Sequence, residues 1–331
     1  MPDAAVRELT FAQAVREALA EEMRRDSTVC ILGEDVAEAG TPFKVLSGLV
    51  EEFGTARVID TPISEAGFTG VGVGAAMTGM RPVIDIMFGD FLTLTMDQLV
   101  NQAAKVHYMS GGKWKVPMVL RTNLGATRRS AAQHSQSLHA WLSHVPGLKV
   151  VMPSTPHDAK GLLKSAIRDE NPVIFFEDKM MYRQKGPVPA EEYTIPFGVA
   201  DVKRVGTDIS LIATSSMVQV ALGAARFLEK IGISAEVIDP RTTWPLDEKT
   251  LVESVKKTSK AIVIDEGYCR YGVTGEIASV ISEGAFFDLE APVKRMGAMH
   301  VPIPFSPPLE DVTVPTERTV FDAARALCGK E

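Results

Sequence analysis

The chain has 331 residues, of which 45% are hydrophobic and 23% are charged, and its formal net charge at pH 7 is -7. This length and composition predict a folded protein of two domains and exclude a largely disordered chain. The acidic balance argues against nucleic acid as a partner, because phosphate binding needs a basic surface, and no apolar stretch reaches the roughly 20 residues of a membrane span.

The first ten residues carry acids early and have no apolar core. They resemble neither a secretory signal nor a transit peptide, so we expect a cytoplasmic protein. After them, helical and strand patterns alternate. The predicted helices of the first half cover 11–26, 65–78, 91–109 and 156–169, and the predicted strands cover 28–32, 58–60, 82–88, 117–121, 148–152 and 173–177. Thr10, Ser64 and Thr155 are the predicted N-caps of three of these helices.

The second half repeats the alternation. Its predicted strands cover 209–214, 235–238, 261–265 and 293–297, and its predicted helices cover 217–231, 246–257, 273–283 and 317–327. A proline-containing stretch with little periodicity separates the halves, which predicts domains over 1–185 and 208–331 joined by a linker over 186–207. Alternating strands and helices indicate parallel sheets covered on both faces. The predicted fold class is therefore α/β, with two doubly wound domains of which the C-terminal one is smaller.

A glycine-dense helix follows the strand at 58–60 and begins with Glu65. Gly67, Gly70 and Gly74 recur at helical spacing, so one face of this helix would let a backbone or a flat ligand approach closely. The glycines do not fit G-x-G-x-x-G, because the third glycine would fall at Met77, which argues against a nicotinamide site. Glu65 could bind a ligand or merely complement the helix dipole.

Other polar residues stand where strands end. Glu34 and Asp35 follow the strand at 28–32, and they could form either a solvated loop or the rim of a site. His134 lies in the loop after the strand at 117–121, at the strand end where open α/β sheets bind ligands. His139 is better explained as a packing or solvent-facing histidine. The neighbouring arginines 128 and 129 could contact a carboxylate or an acidic partner, or they could be solvated.

Two segments identify a family resemblance. They read P-I-S-E-A-G-F-T-G-V-G-V-G-A-A-M-T-G-M-R-P and A-A-Q-H-S-Q-S-L-H-A-W, and the likeness extends from Leu9 to the last helix. The chain resembles the β subunit of the thiamine-diphosphate-dependent decarboxylating component of 2-oxo acid dehydrogenase complexes, within the transketolase-like superfamily. The resemblance implies that the N-terminal domain binds the aminopyrimidine ring of the cofactor.

The same resemblance assigns roles to individual residues. It implies that Glu65 contacts the aminopyrimidine ring and that His134 lines the active site. The chemistry of the cofactor then suits Glu65 to favour the imino tautomer of the ring and His134 to donate a proton during acyl transfer to lipoamide. It also places Ile63, Met87 and Phe91 among the cofactor-binding residues, although plain core packing explains the last two equally well. In some relatives a structural potassium ion is held largely by backbone carbonyls, and the matching positions here are Met118, Ala166, Ile167, Asp169 and Asn171.

One expected motif is missing from the sequence. Members of this cofactor class hold the diphosphate through a divalent metal with a G-D-G motif, and the chain contains no G-D-G. We therefore expect an α subunit to supply the Mg²⁺ ligands at a shared site in an α2β2 heterotetramer. The resemblance further implies a lipoyl-bearing acyltransferase component as partner and pyruvate or acetoin as substrate.

Two alternatives remain open at this point. The first is a β subunit that acts on branched-chain 2-oxo acids. The second is a non-catalytic scaffold subunit whose glycine helix only packs against a partner.

Overall fold

The computed structural model describes residues 6–329. Two compact units divide the chain. Unit 1 contains the residues up to Leu124 together with Trp141–Phe197, and unit 2 contains Gly125–Ala140 and the residues from Gly198 onward. The boundary between Phe197 and Gly198 falls inside the stretch predicted as a linker. The segment 125–140, which carries His134, interrupts unit 1 in sequence and belongs to unit 2.

Unit 1 is a parallel α/β sheet with helices on both faces. Its strands are β1 (Val6–Thr10), β2 (Val29–Gly33), β3 (Val58–Asp60), β4 (Arg81–Ile86), β5 (Val119–Leu124), β6 (Lys149–Val151), β7 (Val173–Asp178) and β8 (Lys185–Pro189). Its helices are α1 (Phe11–Arg25), α2 (Leu49–Phe53), α3 (Glu65–Met77), α4 (Ala104–Met109) and α6 (Pro156–Arg168), and α5 (His139–Ser143) begins in the 125–140 segment. The sheet order is β6-β7-β5-β4-β2-β3, with every neighbouring pair parallel. β1 pairs separately with β8, antiparallel.

Two apolar cores cover the faces of this sheet. Successive residues of β4, Val83 and Ile84, point into different cores, because strand side chains alternate between faces. Leu49 of α2, which follows β2, lies in the first core, whereas Leu92 and Leu99, which follow β4, lie in the second. The connections from these adjacent strands therefore leave toward opposite faces. Doubly wound sheets bind ligands at such a switch point, beside the carboxyl ends of the strands.

Local capping explains where several helices start. The Thr10 side chain accepts a hydrogen bond from the backbone N–H of Gln13, and Thr155 accepts one from that of Asp158, as predicted. Ser64 occupies the predicted N-cap position of α3, but its side chain makes no capping hydrogen bond.

The single helix predicted over 91–109 is wrong. That stretch contains a 3₁₀ turn over Gly89–Leu94, a π-helix over Gln98–Ala103 and then α4. The tight turn keeps 91–94 close to the end of β4, and the wider π turn moves the apolar positions out of one continuous α-helical stripe.

Unit 2 is a second, smaller α/β sheet. Its strands are β9 (Asp201–Arg204), β10 (Ile209–Ala213), β11 (Ala235–Asp239), β12 (Thr242–Trp244), β13 (Ala261–Tyr268) and β14 (Lys294–Ala298). Its helices are α7 (Met217–Glu229), α8 (Glu248–Thr258), α9 (Val273–Gly284), α10 (Pro307–Glu310) and α11 (Glu317–Leu327). The sheet itself contains five of these strands, all except β12, in the order β14-β13-β10-β11-β9, and only β9 is antiparallel to its neighbour.

Helices cover both faces of this sheet too, with α7 and α11 on one core and α8 and α9 on the other. The predicted α/β fold of two doubly wound parts is therefore confirmed. The predicted linker stretch contains β9 and most of β8. Among residues 6–329, none of the helices has the length and apolar character needed to cross a membrane.

Candidate active site

Glu65 is the first residue of α3, and its side chain is buried, with 7% of the residue exposed. It lies just beyond the carboxyl end of β3, at the edge of the switch point between β2 and β4. Ile63, two residues earlier, is 85% exposed. The turn into α3 thus buries a carboxylate and exposes an apolar side chain beside it.

Several buried polar atoms near Glu65 lack a partner. Glu34 follows β2, and its Oε1 has no hydrogen-bond partner among the described residues. The same holds for the hydroxyls of Thr61, whose backbone N–H bonds to the carbonyl of Gly33, and of Thr69, one helical turn beyond Glu65. Buried polar groups are normally hydrogen-bonded, so a group of orphaned atoms at a switch point fits a polar ligand.

Burial raises the pKa of the Glu34 carboxyl, and the negative charge of Glu65 raises it further. The two acids are therefore close enough to interact. A raised pKa makes Glu34 easier to protonate than an exposed glutamate.

The glycines of α3 have two different surroundings, one packed against the sheet and one open. A side chain at Gly72 would come within 2.4 Å of Ile84 on β4, so only glycine allows the helix to lie this close to the sheet. On the other face, Gly74 has nothing within 4 Å of its missing side chain, and Val71 beside it is 64% exposed. The open glycine face predicted from the sequence is thus present at Gly74, whereas a side chain at Gly67 would meet Ser64 and one at Gly70 would contact Gln98.

Met87 and Phe91 follow β4, the strand next to β2 on the other side of the switch point. The Asn123 side-chain amide donates to the Met87 carbonyl at 2.5 Å, which fixes this turn against the end of β5. Phe91 packs partly against the second core of unit 1, and its ring lies edge-on to Phe88 at 6.1 Å. The carboxyl ends of β3 and β4 in unit 1 thus carry the four predicted cofactor residues, which are Ile63, Glu65, Met87 and Phe91.

A buried ionic network that sequence reasoning missed supports these strand ends. The Arg121 guanidinium on β5 donates to both carboxylate oxygens of Glu177 on β7, at 2.9 and 2.7 Å, and it also bonds to Asp85 on β4. Burial raises the pKa of the Asp85 carboxyl, although Arg121 opposes the rise. Burial also raises the pKa of the nearby Tyr182 phenol well above its ordinary value. The signal available in the sequence was the presence of charged residues within three otherwise apolar strands.

His134 lies in unit 2, in the segment 125–140. It is partly buried, and its backbone N–H bonds to the carbonyl of Ala131 at 3.3 Å. The next residue, Ser135, is buried, and its hydroxyl has no partner among the described residues. Glu65 belongs to unit 1, so the two predicted catalytic residues are carried by different units.

The other residues singled out in this segment have structural partners. His139 is buried, as the packing interpretation requires, and its Nε2 lies 3.0 Å from the carboxylate of Asp265. Burial raises the pKa of Asp265, but His139 and hydrogen bonds from Thr214 and a backbone N–H outweigh burial and hold it below its ordinary value. Arg129 bonds to Glu310 at 2.6 Å and to Asp311 at 2.7 Å, so it is not simply solvated.

The five predicted potassium positions cluster around the start of β5 and the end of α6. The Arg81 guanidinium donates to two of the carbonyls, those of Ile167 and Asp169, at 3.0 Å each. The carbonyl of Met118 accepts from the backbone N–H of Val173. Carbonyl oxygens suit a potassium ion and each has a second lone pair, but a positive charge already contacts two of them. Residues 6–329 contain no group of three or more His, Cys, Asp or Glu side chains placed to hold a metal.

Comparisons with known proteins agree with this architecture. The family model of the transketolase pyrimidine-binding domain matches residues 7–185, and that of the transketolase C-terminal domain matches residues 198–320. A solved structure of a split-gene transketolase, an inactive β4 tetramer, superposes with a TM-score of 0.77 over 97% of this chain and 98% of that chain, at 21% identity. At this identity the likeness establishes the fold alone.

Curated relatives are closer in sequence. The β subunit of acetoin:2,6-dichlorophenolindophenol oxidoreductase from Bacillus subtilis is 48% identical, with 98% of both chains covered. The pyruvate dehydrogenase E1 β subunit of Rhizobium meliloti is 48% identical over 97% of this chain and 70% of its own. The 2-oxoisovalerate dehydrogenase β subunit of B. subtilis is 46% identical over 96% of this chain and 98% of its own. The two family models and these relatives together define a transketolase-like, thiamine-diphosphate-dependent class of protein. Within that class, the chain belongs to the family of β subunits of the decarboxylating (E1) component of 2-oxo acid dehydrogenases, of the pyruvate and acetoin type.

Proposed function

We propose that this chain and an α subunit together form a thiamine diphosphate site that decarboxylates a 2-oxo acid and transfers the acyl group to lipoamide. The observation that carries the proposal is the buried Glu65 at the switch point of unit 1, with the orphaned polar atoms of Glu34, Thr61 and Thr69 near it. These groups fit a heteroaromatic ring with several hydrogen-bonding positions better than they fit a packing interface.

When bound, thiamine diphosphate supplies the nucleophilic carbon that attacks the 2-oxo acid. Glu65 would hold a proton at the pyrimidine ring nitrogen, and burial keeps competing water from that bond. Met87 and Phe91 would contact the faces of the ring, and Ile63 would line its edge. His134 would donate the proton that the acyl-transfer step consumes, because a protonated imidazole can act as a general acid.

We further propose as the substrate either pyruvate, which would lose CO2, or acetoin, which has no carboxyl group and would instead be cleaved between its carbonyl and carbinol carbons, with acetaldehyde as the second product. The 48% identity to an acetoin oxidoreductase subunit and to a pyruvate dehydrogenase subunit supports this choice. The 46% identity to a 2-oxoisovalerate dehydrogenase subunit keeps a branched-chain 2-oxo acid as the alternative. Assays of the assembled enzyme with the three substrates, compared by kcat/KM, distinguish them.

An α subunit is the proposed partner, in an α2β2 assembly, with a lipoyl-bearing acyltransferase as the component that accepts the acyl group. The sequence lacks the G-D-G motif, so the α subunit would supply the Mg²⁺ ligands. The exposed apolar residues Ile63 and Val71, beside the open glycine face of α3, support a protein partner here. The cytoplasmic location expected from the sequence stays a prediction.

Calorimetry of cofactor binding tests the shared site. We expect thiamine diphosphate with Mg²⁺ to bind tightly only when this chain is co-expressed with the product of the neighbouring gene, because this chain holds only the pyrimidine half. Tight binding to this chain alone would place the diphosphate ligands here and overturn the division of the site between two subunits.

Changing His134 to Ala tests its role in transfer. We expect cofactor binding and dye-linked decarboxylation to persist, while acyl transfer to the lipoyl group falls by about 100-fold, the contribution of one general acid. His144→Ala, at an exposed position, is the matched control and keeps both rates. Unchanged transfer in the His134 variant would show that another group donates the proton.

A potassium ion at the carbonyls around Met118 and α6 is the last part of the proposal. A bound ion stabilises only the folded chain, so the unfolding midpoint should be higher in KCl than in NaCl at equal ionic strength. Equal midpoints would leave the Arg81 guanidinium as the cation that these carbonyls bind.

A further inference from the structure

Unit 2 has a switch point of its own. Its adjacent strands β10 and β13 lead into helices on opposite faces, since α7 packs in one core and α9 in the other. Such a pair of strands opens a crevice beside its carboxyl ends, where doubly wound sheets bind their ligands. The polar residues Thr214, Asp265 and Glu266 line these ends, and all three are buried.

The chain's own segment 125–140 lies at this crevice. Its first anchor is the backbone N–H of Ala126, which donates to the Glu266 carboxylate at 2.6 Å across 140 residues of sequence. At its other end, His139 bonds to Asp265 at 3.0 Å, and Thr214 and the Gly267 N–H also donate to Asp265. Both ends of the segment are therefore held by carboxylates from β13.

A third anchor holds the middle of the segment. Glu310, at the end of α10, is fully buried and accepts from both the backbone N–H and the guanidinium of Arg129, at 3.2 and 2.6 Å. Arg129 has a left-handed backbone, as do Thr127 and Ala131, with φ of 58°, 66° and 62°. Left-handed geometry at residues other than glycine is unfavourable and persists only where the surroundings fix it.

We propose that the ligand crevice of unit 2 holds the segment 125–140 as an internal ligand and thereby presents His134. The inference rests on the proposed function in one respect only, the role of His134 in acyl transfer. It gives unit 2 a task in the reaction, because His134 lies between the anchors at Arg129 and His139. Glu266, Glu310 and Asp265 are thus positioning residues that act through the segment.

Simple loop packing would not require this arrangement. A surface loop usually needs only solvent, backbone turns and a few apolar contacts. Here three buried carboxylates are committed to one short segment, and burying a carboxylate is unfavourable unless its partners are well aligned. The alignment and the left-handed residues both indicate one fixed conformation of the segment.

Hydrogen exchange on Glu310→Gln measures that conformation directly. The experiment uses the full chain co-purified with the product of its neighbouring gene, and it follows peptides from 125–140 by mass spectrometry. We expect exchange in these peptides to be about tenfold faster, since a charged hydrogen-bond acceptor is lost. Glu236→Gln is the matched control. Glu236 is an equally buried carboxylate of unit 2 that bonds to Ser254 and Lys257 and makes no contact with the segment.

A second variant tests the same anchor in case Glu310→Gln does not fold. Arg129 is partly exposed, so Arg129→Gln removes the same anchor from the solvent side and should also speed exchange. Arg129→Lys keeps the positive charge and should recover most of the protection. Transfer to the lipoyl group should fall in Glu310→Gln and Arg129→Gln toward the level of His134→Ala, while dye-linked decarboxylation persists. The double variant Glu310→Gln/His134→Ala should transfer no more slowly than His134→Ala alone.

Three outcomes distinguish the anchoring of the segment, the presentation of His134 and the role of His134 in acyl transfer. Wild-type exchange in both the Glu310 and Arg129 variants overturns the inference. Faster exchange with unchanged transfer, in an enzyme that His134→Ala does impair, overturns the presentation of His134. Wild-type transfer in His134→Ala instead overturns the proposed role of that histidine, and the exchange result then still reports whether the crevice holds the segment.

Discussion

Changing Glu65 to Gln should lower the turnover of the assembled enzyme by about 10²–10⁴-fold, the range for loss of a positioned general acid or base. Glutamine has nearly the same shape and can still form hydrogen bonds, so the fold of α3 and the assembly with the α subunit should persist. An amide cannot exchange a proton with a ring nitrogen, however. Dye-linked decarboxylation at saturating cofactor measures the loss, and native mass measures assembly.

A control must separate this effect from the helix dipole. Glu248 is also the first residue of a helix, α8, and it is exposed, so Glu248→Gln removes the same favourable interaction with a helix N-terminus. That interaction is worth about 0.3–1 kcal/mol at an exposed position. We expect Glu248→Gln to retain turnover. If Glu65→Gln also retains it, Glu65 only complements the dipole and the scaffold interpretation is correct.

Local features of the fold were readable from the sequence because their causes are local. Thr10 and Thr155 cap their helices through residues three positions away, and the spacing of apolar residues gave the bounds of most elements within two or three positions. The stretch after β4 was read wrongly for the same reason. Its apolar spacing suits an α-helix, and nothing in the spacing reveals the 3₁₀ turn or the π-helix that the strand end imposes.

The candidate site could likewise be predicted only where its causes are local in sequence. The position of Glu65 followed from a strand, a turn and a helix that adjoin in sequence. By contrast, the partners of the segment 125–140 lie 126 to 181 residues away, at Asp265, Glu266 and Glu310. No periodicity connects residues at such distances, so the sequence placed His134 in a loop of the first domain. The assignment of this segment to unit 2 required the fold.

The ionic network beneath the site should dominate the stability of unit 1. Arg121→Met leaves the carboxylates of Asp85 and Glu177 buried without their cation. Removing one partner of a buried ion pair costs about 3–5 kcal/mol, because the remaining charge can be neither solvated nor compensated. We expect a loss of this size in the free energy of unfolding, measured by urea denaturation of the full chain, and it is a large part of a typical domain's total.

Two comparisons show whether charge compensation is the cause. Arg24→Met breaks the exposed pair with Glu52 and should cost less than about 1 kcal/mol, because water solvates the carboxylate that remains. The triple variant Arg121→Met with Asp85→Asn and Glu177→Gln removes all three charges, so it should be more stable than Arg121→Met alone. If the triple variant is instead less stable, the network acts through shape and hydrogen bonding rather than charge. The ends of β4 and β5, which carry Met87 and Asn123, would then depend on the packing of these three side chains.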